Sequence, residues 1–145
     1  MESEKKKVLL VEDDTAIRGA VSSLLERNGY QVKGVADGEE ALRVIENADV
    51  VLLDIFLPKV SGDELLRNIR GKGNYIPVVL MSAMPEPEAR EYFEEFKVVD
   101  FVSKPFKSKE LMEKVNKAAA VAEDMKVVRH STDRLKGFIN RQAAL

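Results

Sequence analysis

The sequence predicts a doubly wound α/β fold, a five-stranded parallel sheet with helices on both faces. Two observations predict it. Five short apolar runs, Val8–Val11, Gln31–Ala36, Val50–Leu53, Ile76–Met81 and Val98–Val102, alternate with five stretches whose apolar residues recur at helical spacing. The runs are rich in Val, Ile and Leu, and several are apolar at consecutive positions, as befits strands buried on both faces of a parallel sheet. Strict alternation of strand and helix gives the crossover connections that parallel neighbours need. At 145 residues the chain suits one well-buried domain.

Each helix carries its own start and stop signals. The first follows Asp14, a candidate N-cap, places Ile17, Ala20, Val21, Leu24 and Leu25 on one face, and stops at Asn28-Gly29. The second opens at Asp37-Gly38-Glu39-Glu40, with Asp37 as N-cap and Ala41, Leu42 and Ile45 facing inward. Ser61-Gly62-Asp63-Glu64 reads as a capping box for the third, which carries Leu65, Leu66 and Ile69 and closes at Gly71 and Gly73. The fourth starts near Pro85-Glu86-Pro87, where proline suits a first turn, and carries Ala89, Tyr92, Phe93 and Phe96. The fifth starts at Ser108-Lys109-Glu110 and carries Leu111, Met112, Val115, Ala118, Ala119 and Val121.

Composition narrows the chemistry. The net charge is −2, from 23 basic and 25 acidic residues, so no global field favours nucleic acid or membrane. There is no cysteine, hence no disulfide, thiolate ligand or thiol nucleophile. Met1-Glu-Ser-Glu-Lys-Lys-Lys lacks a signal-peptide core, and no apolar run approaches membrane-spanning length, so a cytoplasmic location is expected.

Three polar signals sit where strands end. Glu12-Asp13-Asp14 follows the first run, Asp54 the third, and Lys104-Pro105 follows Phe101-Val102-Ser103. In doubly wound sheets, ligands bind at the carboxyl ends of the strands, where strand order reverses. A lone strand-end aspartate commonly caps a turn; the company of Glu12 and Asp13 argues for more. Adjacent acids repel unless a cation sits among them, and oxygen donors without His or Cys suit Mg2+ or Mn2+. With Asp14 assigned to the helix cap, Glu12 and Asp13 are left for the metal. Lys104 supplies a positive charge, and Ser82, at the end of the fourth run, a hydroxyl. A carboxylate nucleophile, a cation and an ammonium are the equipment for an aspartyl-phosphate intermediate. No Gly-rich nucleotide loop is present, and the single histidine, His130, lies far downstream.

Taken together, Val8-Leu-Leu-Val-Glu-Asp-Asp, Val51-Leu-Leu-Asp54-Ile-Phe-Leu-Pro58 with Gly62, Val79-Leu-Met-Ser82-Ala83 and Phe101-Val-Ser-Lys104-Pro105-Phe106 resemble the receiver domain of two-component response regulators, over roughly residues 5–122. The resemblance implies a flavodoxin-like (βα)5 fold and phosphorylation of Asp54 by a sensor histidine kinase or a histidine phosphotransfer protein. It implies Mg2+ held by Glu12, Asp13, Asp54 and the backbone carbonyl of Phe56. It further implies that Ser82 and Lys104 contact the phosphoryl oxygens and that Phe101 is the switch aromatic. The domain would catalyse its own phosphorylation and dephosphorylation while serving mainly as a signalling switch. One departure concerns shape: Phe93-Glu-Glu-Phe-Lys-Val-Val99 lacks the glycine usual before the last strand.

Two other readings compete. A haloacid-dehalogenase-type hydrolase also uses a strand-end Asp, but it usually has a second Asp two residues later, where this chain has Phe56. A receiver-like interaction module that is never phosphorylated is the alternative function. Residues 1–122 are expected to form the receiver domain and residues 123–145 a helical extension or linker, with Ser131, Thr132 or Asp133 capping a separate short helix. The tail lacks a helix-turn-helix or a dense basic face, so no direct nucleic-acid or membrane binding is expected. Output would pass to a downstream protein or an output domain, and a homodimer through the tail is the sharper reading of its apolar residues.

Overall fold

The computed structural model describes residues 4–143. Five strands form one sheet, β1 (Lys7–Val11), β2 (Gln31–Val35), β3 (Val50–Asp54), β4 (Val78–Ser82) and β5 (Asp100–Ser103), in the order β2-β1-β3-β4-β5 with every pair parallel. Between them run α1 (Thr15–Arg27), α2 (Gly38–Val44), α3 (Gly62–Gly71) and α4 (Glu86–Phe93), and α5 (Ser108–Ala143) follows β5. Short 3-10 turns extend α2 over Ile45–Asn47 and α4 over Glu94–Phe96. This is the doubly wound, flavodoxin-like (βα)5 arrangement expected from the alternation.

The alternation of side chains along each strand builds two cores. Leu9, Val11, Val51, Leu53 and Leu80 face α2, α3 and α4, packing with Leu65, Leu66, Ile69 and Phe93. Val8, Leu10, Leu52, Val79 and Met81 face α1 and α5, packing with Val21, Leu25, Leu111 and Val115. The central strands β3 and β4 are buried throughout, whereas β2 is an edge strand and buries only Val35.

Two predicted caps form: Asp14 accepts from the Ile17 amide at 2.9 Å and Asp37 from the Glu40 amide at 2.8 Å. The Ser61 box does not form. Its hydroxyl donates to the Asp63 carboxylate at 2.7 Å, a charge-assisted bond, and accepts from none of the helix's first amides. On α4, Ala89 and Phe93 are buried but Tyr92 is exposed, its ring against the edge of Phe93. The loop without its glycine closes all the same, with Lys97 itself in the left-handed conformation at φ 51°. The tail differs most. Instead of breaking near Ser131, α5 runs unbroken for 36 residues, since 131–133 contain cap formers but neither Gly nor Pro to stop a helix already under way. The outer ends of the two expected spans, residues 1–3 and 144–145, lie outside the described residues.

Asp100 ties β5 to the flanking helices. It is buried, accepts from the Phe101 amide at 2.8 Å, and pairs with Arg90 of α4 at 3.0 Å and Lys117 of α5 at 3.1 Å. Burial alone would raise its pKa, but the Phe101 amide and the Lys117 and Lys114 ammoniums outweigh that and hold it below the usual carboxylate value. A depressed pKa contributes stability that is present above the unfolded value of about 4 and lost as pH falls through the folded one. Asp100→Asn is therefore expected to cost about 2 kcal/mol in urea unfolding at pH 7, with the difference shrinking in acid below about pH 4. An undiminished difference there would assign the loss to packing.

Candidate functional site

The strand order brings distant residues to one place. β1 and β3 are neighbours, with Val11 paired to Leu53, so Glu12 and Asp54 leave the sheet side by side. This is also where the order reverses, with β2 returning on the far side of β1. β4 and β5 pair so that Ser82 lies opposite Ser103, which puts Lys104 at the same edge. The Lys104 amide donates to the Ser82 carbonyl at 2.7 Å, fastening the two strand ends together, and the Lys104–Pro105 peptide is cis.

Lys104 is the hub. Its ammonium donates to Asp54 Oδ2 at 2.9 Å and to both carboxylate oxygens of Glu12 at 3.1 and 3.2 Å. Asp54 Oδ1 accepts from the Phe56 amide at 3.1 Å. Glu12, Asp54 and Ser82 are buried, while Asp13 is exposed at the rim. Carboxylate oxygens of Glu12, Asp13 and Asp54 all lie within 4.8 Å of one another. The Ser82 hydroxyl accepts from the Met84 amide at 2.8 Å. Phe101 is buried in β5, with the Arg90 guanidinium 5.1 Å over its ring.

Two carboxylates sharing one ammonium leave an excess of negative charge. Burial, and then the adjoining Asp54, push the Glu12 carboxyl up to about 7, against the pull of Lys104. Burial alone would lower the Lys104 ammonium, but its two carboxylate partners outweigh this and raise it. The site is thus built to attract positive charge, through three hard oxygen donors with an open rim at Asp13. That donor set fits Mg2+ or a similar ion, which favours a few carboxylates and retains water.

Of the residues expected at the site, Glu12, Asp13, Asp54 and Lys104 converge here; Ser82 ends the neighbouring strand β4 and Phe56 turns its amide toward Asp54, while Phe101 lies in the core within β5. Sequence reasoning missed Arg18. From the first turn of α1 its guanidinium donates to the carbonyls of Glu12 at 2.8 Å and Asp13 at 3.3 Å, bracing the loop that carries both acids. Gly34 on β2 makes room for it: a Cβ there would stand 3.2 Å from Arg18 Cγ. A basic residue four positions after Asp14 is a common surface pattern, so only the folded loop reveals this use. Outside the acids, Phe56, Leu57, Met84 and Tyr92 line an open groove of about 550 Å3, with Phe56 61% exposed as its lip.

Residues 8–116 match the family described as the response regulator receiver domain. The chain is 38% identical over 113 residues to a probable transcriptional regulator, ycf27, of Cyanophora paradoxa, covering 77% of this chain and 47% of that one. It is 33% identical over 142 residues to the alkaline phosphatase synthesis transcriptional regulatory protein PhoP of Bacillus subtilis, covering 92% and 57% respectively. The chain thus spans about half the length of the curated relatives it matches. Among solved structures, the chemotaxis response regulator CheY4 of Vibrio cholerae superposes with a TM-score of 0.73 at 29% identity, covering 79% of this chain and 99% of that one. The receiver domain of the Francisella response regulator 1452 gives 0.76 at 31% identity, covering 80% and 98%.

Proposed function

The chain belongs to the response regulator receiver family, and from that premise we propose that Asp54 is its phosphoryl acceptor. The observation that carries the proposal is the Lys104 ammonium held between Asp54 and Glu12, at the strand ends where Asp13 opens the site to solvent. An oxygen of the Asp54 carboxylate attacks phosphorus, and the leaving nitrogen or oxygen of the donor departs with its bonding pair. The donor is a phosphohistidine on a sensor histidine kinase or a phosphotransfer protein. Lys104 and Ser82 stabilise the charge on the transferred oxygens, as positioning and electrostatics dominate this chemistry. Receiver domains generally bind Mg2+ at an acidic pocket; here Glu12, Asp13, Asp54 and the Phe56 carbonyl would hold it. When bound, Mg2+ neutralises charge on the phosphoryl oxygens.

A phosphoryl group on Asp54 adds negative charge and acceptor oxygens. Ser82 would leave the Met84 amide for it, freeing space beside the β4–α4 junction. Phe101, buried in β5 with the Arg90 guanidinium over its ring, then repacks and alters the surface of α4, β5 and α5. Residues 1–122 act as the receiver and 123–145 as its extension, in a cytoplasmic protein. Output passes to a downstream protein or to an output domain of a longer polypeptide.

The test is intact-mass measurement after incubation with acetyl phosphate and Mg2+. One phosphoryl adduct is expected, mapping to the peptide that contains Asp54 and disappearing when EDTA replaces the metal. An adduct mapping elsewhere, or none in Mg2+, would overturn the assignment and favour an interaction module that is not phosphorylated.

A further inference from the structure

The second half of α5 presents an apolar stripe that its own domain does not use. The helix is tied down as far as Lys126: Tyr30 donates to Asn116 at 2.6 Å, Lys6 pairs with Glu123, and Lys126 pairs with Asp49 at 3.1 Å. Beyond Lys126, no described side chain makes a hydrogen bond or ion pair with another element. The remaining residues, 127–143, project for about 25 Å at 1.5 Å per residue. A free helix of this length is marginal in water, and this one exposes Val128 at 64%, Leu135 at 59% and Ile139 at 54%.

The spacing of the stripe identifies its occupant. Val121, Val128 and Leu135 recur every seven residues, and Met125, Thr132 and Ile139 recur every seven in the intervening places. This is the three-four alternation of a coiled-coil seam, with the second set at a and the first at d. Its centre lies about a quarter turn around the helix from the centre of the face formed by Leu111, Val115, Ala118 and Ala122, which packs on the sheet, and Ala118, seven residues before Met125, is the border between the two, so the seam becomes free from Val121 onward. Thr132 is the one polar residue at an a position, and its hydroxyl already donates to the Val128 carbonyl at 3.0 Å, leaving its methyl group for the seam. Phe138, also exposed, flanks the seam at g.

We infer that residues 121–142 form a parallel, in-register, two-stranded coiled coil with a second copy of this chain. Charge selects the direction. In a parallel pair, Asp124 at g meets Arg129 at e of the other copy, five residues on, an attraction repeated by symmetry. In an antiparallel pair the e positions would face each other, and these hold Arg129 and Lys136, of like sign. Lys117, one turn before Val121, pairs with Asp100 at 3.1 Å, and its counterpart across a parallel seam, five residues on, is the uncharged Ala122, so no like charge meets it at the base of the coil. A seven-residue seam is matched by an equal helix, whereas a globular partner has no need of the repeat.

Sedimentation equilibrium of the full chain, with single-cysteine variants, tests this. The parent has no cysteine, so each introduced thiol reports on one site alone. Expected is a mass twice 16.2 kDa at high protein concentration, returning to the monomer value in Leu135→Asp with the circular dichroism of the sheet retained. Under mild oxidation Leu135→Cys should cross-link between copies about tenfold faster than Asp133→Cys, which sits nearly half a turn away around the helix. A monomer at every concentration would overturn the inference. So would a dimer indifferent to Leu135→Asp, or equal cross-linking at the two positions.

Discussion

Asp54→Asn is expected to abolish the phosphoryl adduct while leaving the metal-free fold at least as stable as the parent. The amide has nearly the shape of the carboxylate but no nucleophilic oxyanion, so transfer from acetyl phosphate stops. Stability moves the other way for an electrostatic reason. In the parent, the buried Glu12 and Asp54 carboxylates share the single ammonium of Lys104, and their mutual repulsion contributes to raising Glu12 to about 7. Removing one charge leaves a one-to-one pair between Glu12 and Lys104, and the new amide group can donate toward Glu12. A gain of about 1 kcal/mol in urea unfolding without metal is expected. A loss of that size would mean that the Asp54–Lys104 pair outweighs the repulsion. Millimolar Mg2+ should raise the melting temperature of the parent more than that of the variant, because a ligand at free concentration c bound only to the folded state stabilises it by RT ln(1 + c/Kd), a quantity that grows as Kd falls.

Gly62→Ala is expected to lower stability by about 3 kcal/mol, the upper end for overpacking, since backbone rather than a flexible side chain must give way. A Cβ on Gly62 would stand 2.7 Å from the Ile55 carbonyl oxygen and 2.9 Å from its Cα. That peptide cannot easily retreat. The Ile55 amide donates to the Met81 carbonyl at 3.1 Å, and its carbonyl accepts from Gly62 at 3.1 Å. Ile55 also directly follows Asp54, so any retreat moves the acceptor carboxylate and the Phe56 amide that orients it. Phosphorylation should therefore slow even in the folded fraction. Gly71→Ala, at the end of the same helix with nothing within 4 Å of the new methyl, serves as control and should be neutral or slightly stabilising. Equal behaviour of the two variants in thermal unfolding would exclude the close approach as the reason for glycine at position 62.

Much of this molecule was legible from local rules, because those rules act within a few residues. The apolar runs became strands, and Asp14 and Asp37 became caps, since each cap depends only on an amide three residues ahead. The Ser61 motif obeyed the same rule on paper and failed in three dimensions, where its hydroxyl turned to Asp63. Cap formers at 131–133 did not start a new helix, because extending an existing helix costs less than nucleating another. Lys97 holds a left-handed conformation that nothing in its identity announces.

The sequence by itself determined the fold class, the five strands and the list of polar residues at their ends, because hydropathy period and strand-end chemistry are written along the chain. Only the tertiary structure decided that Glu12, Asp54 and Lys104 meet within hydrogen-bonding distance, that Arg18 braces the acidic loop, and that α5 outruns its domain. The physical reason is the strand order β2-β1-β3-β4-β5: pairing between strands dozens of residues apart is set by the packing of both cores together, and no local spacing contains it.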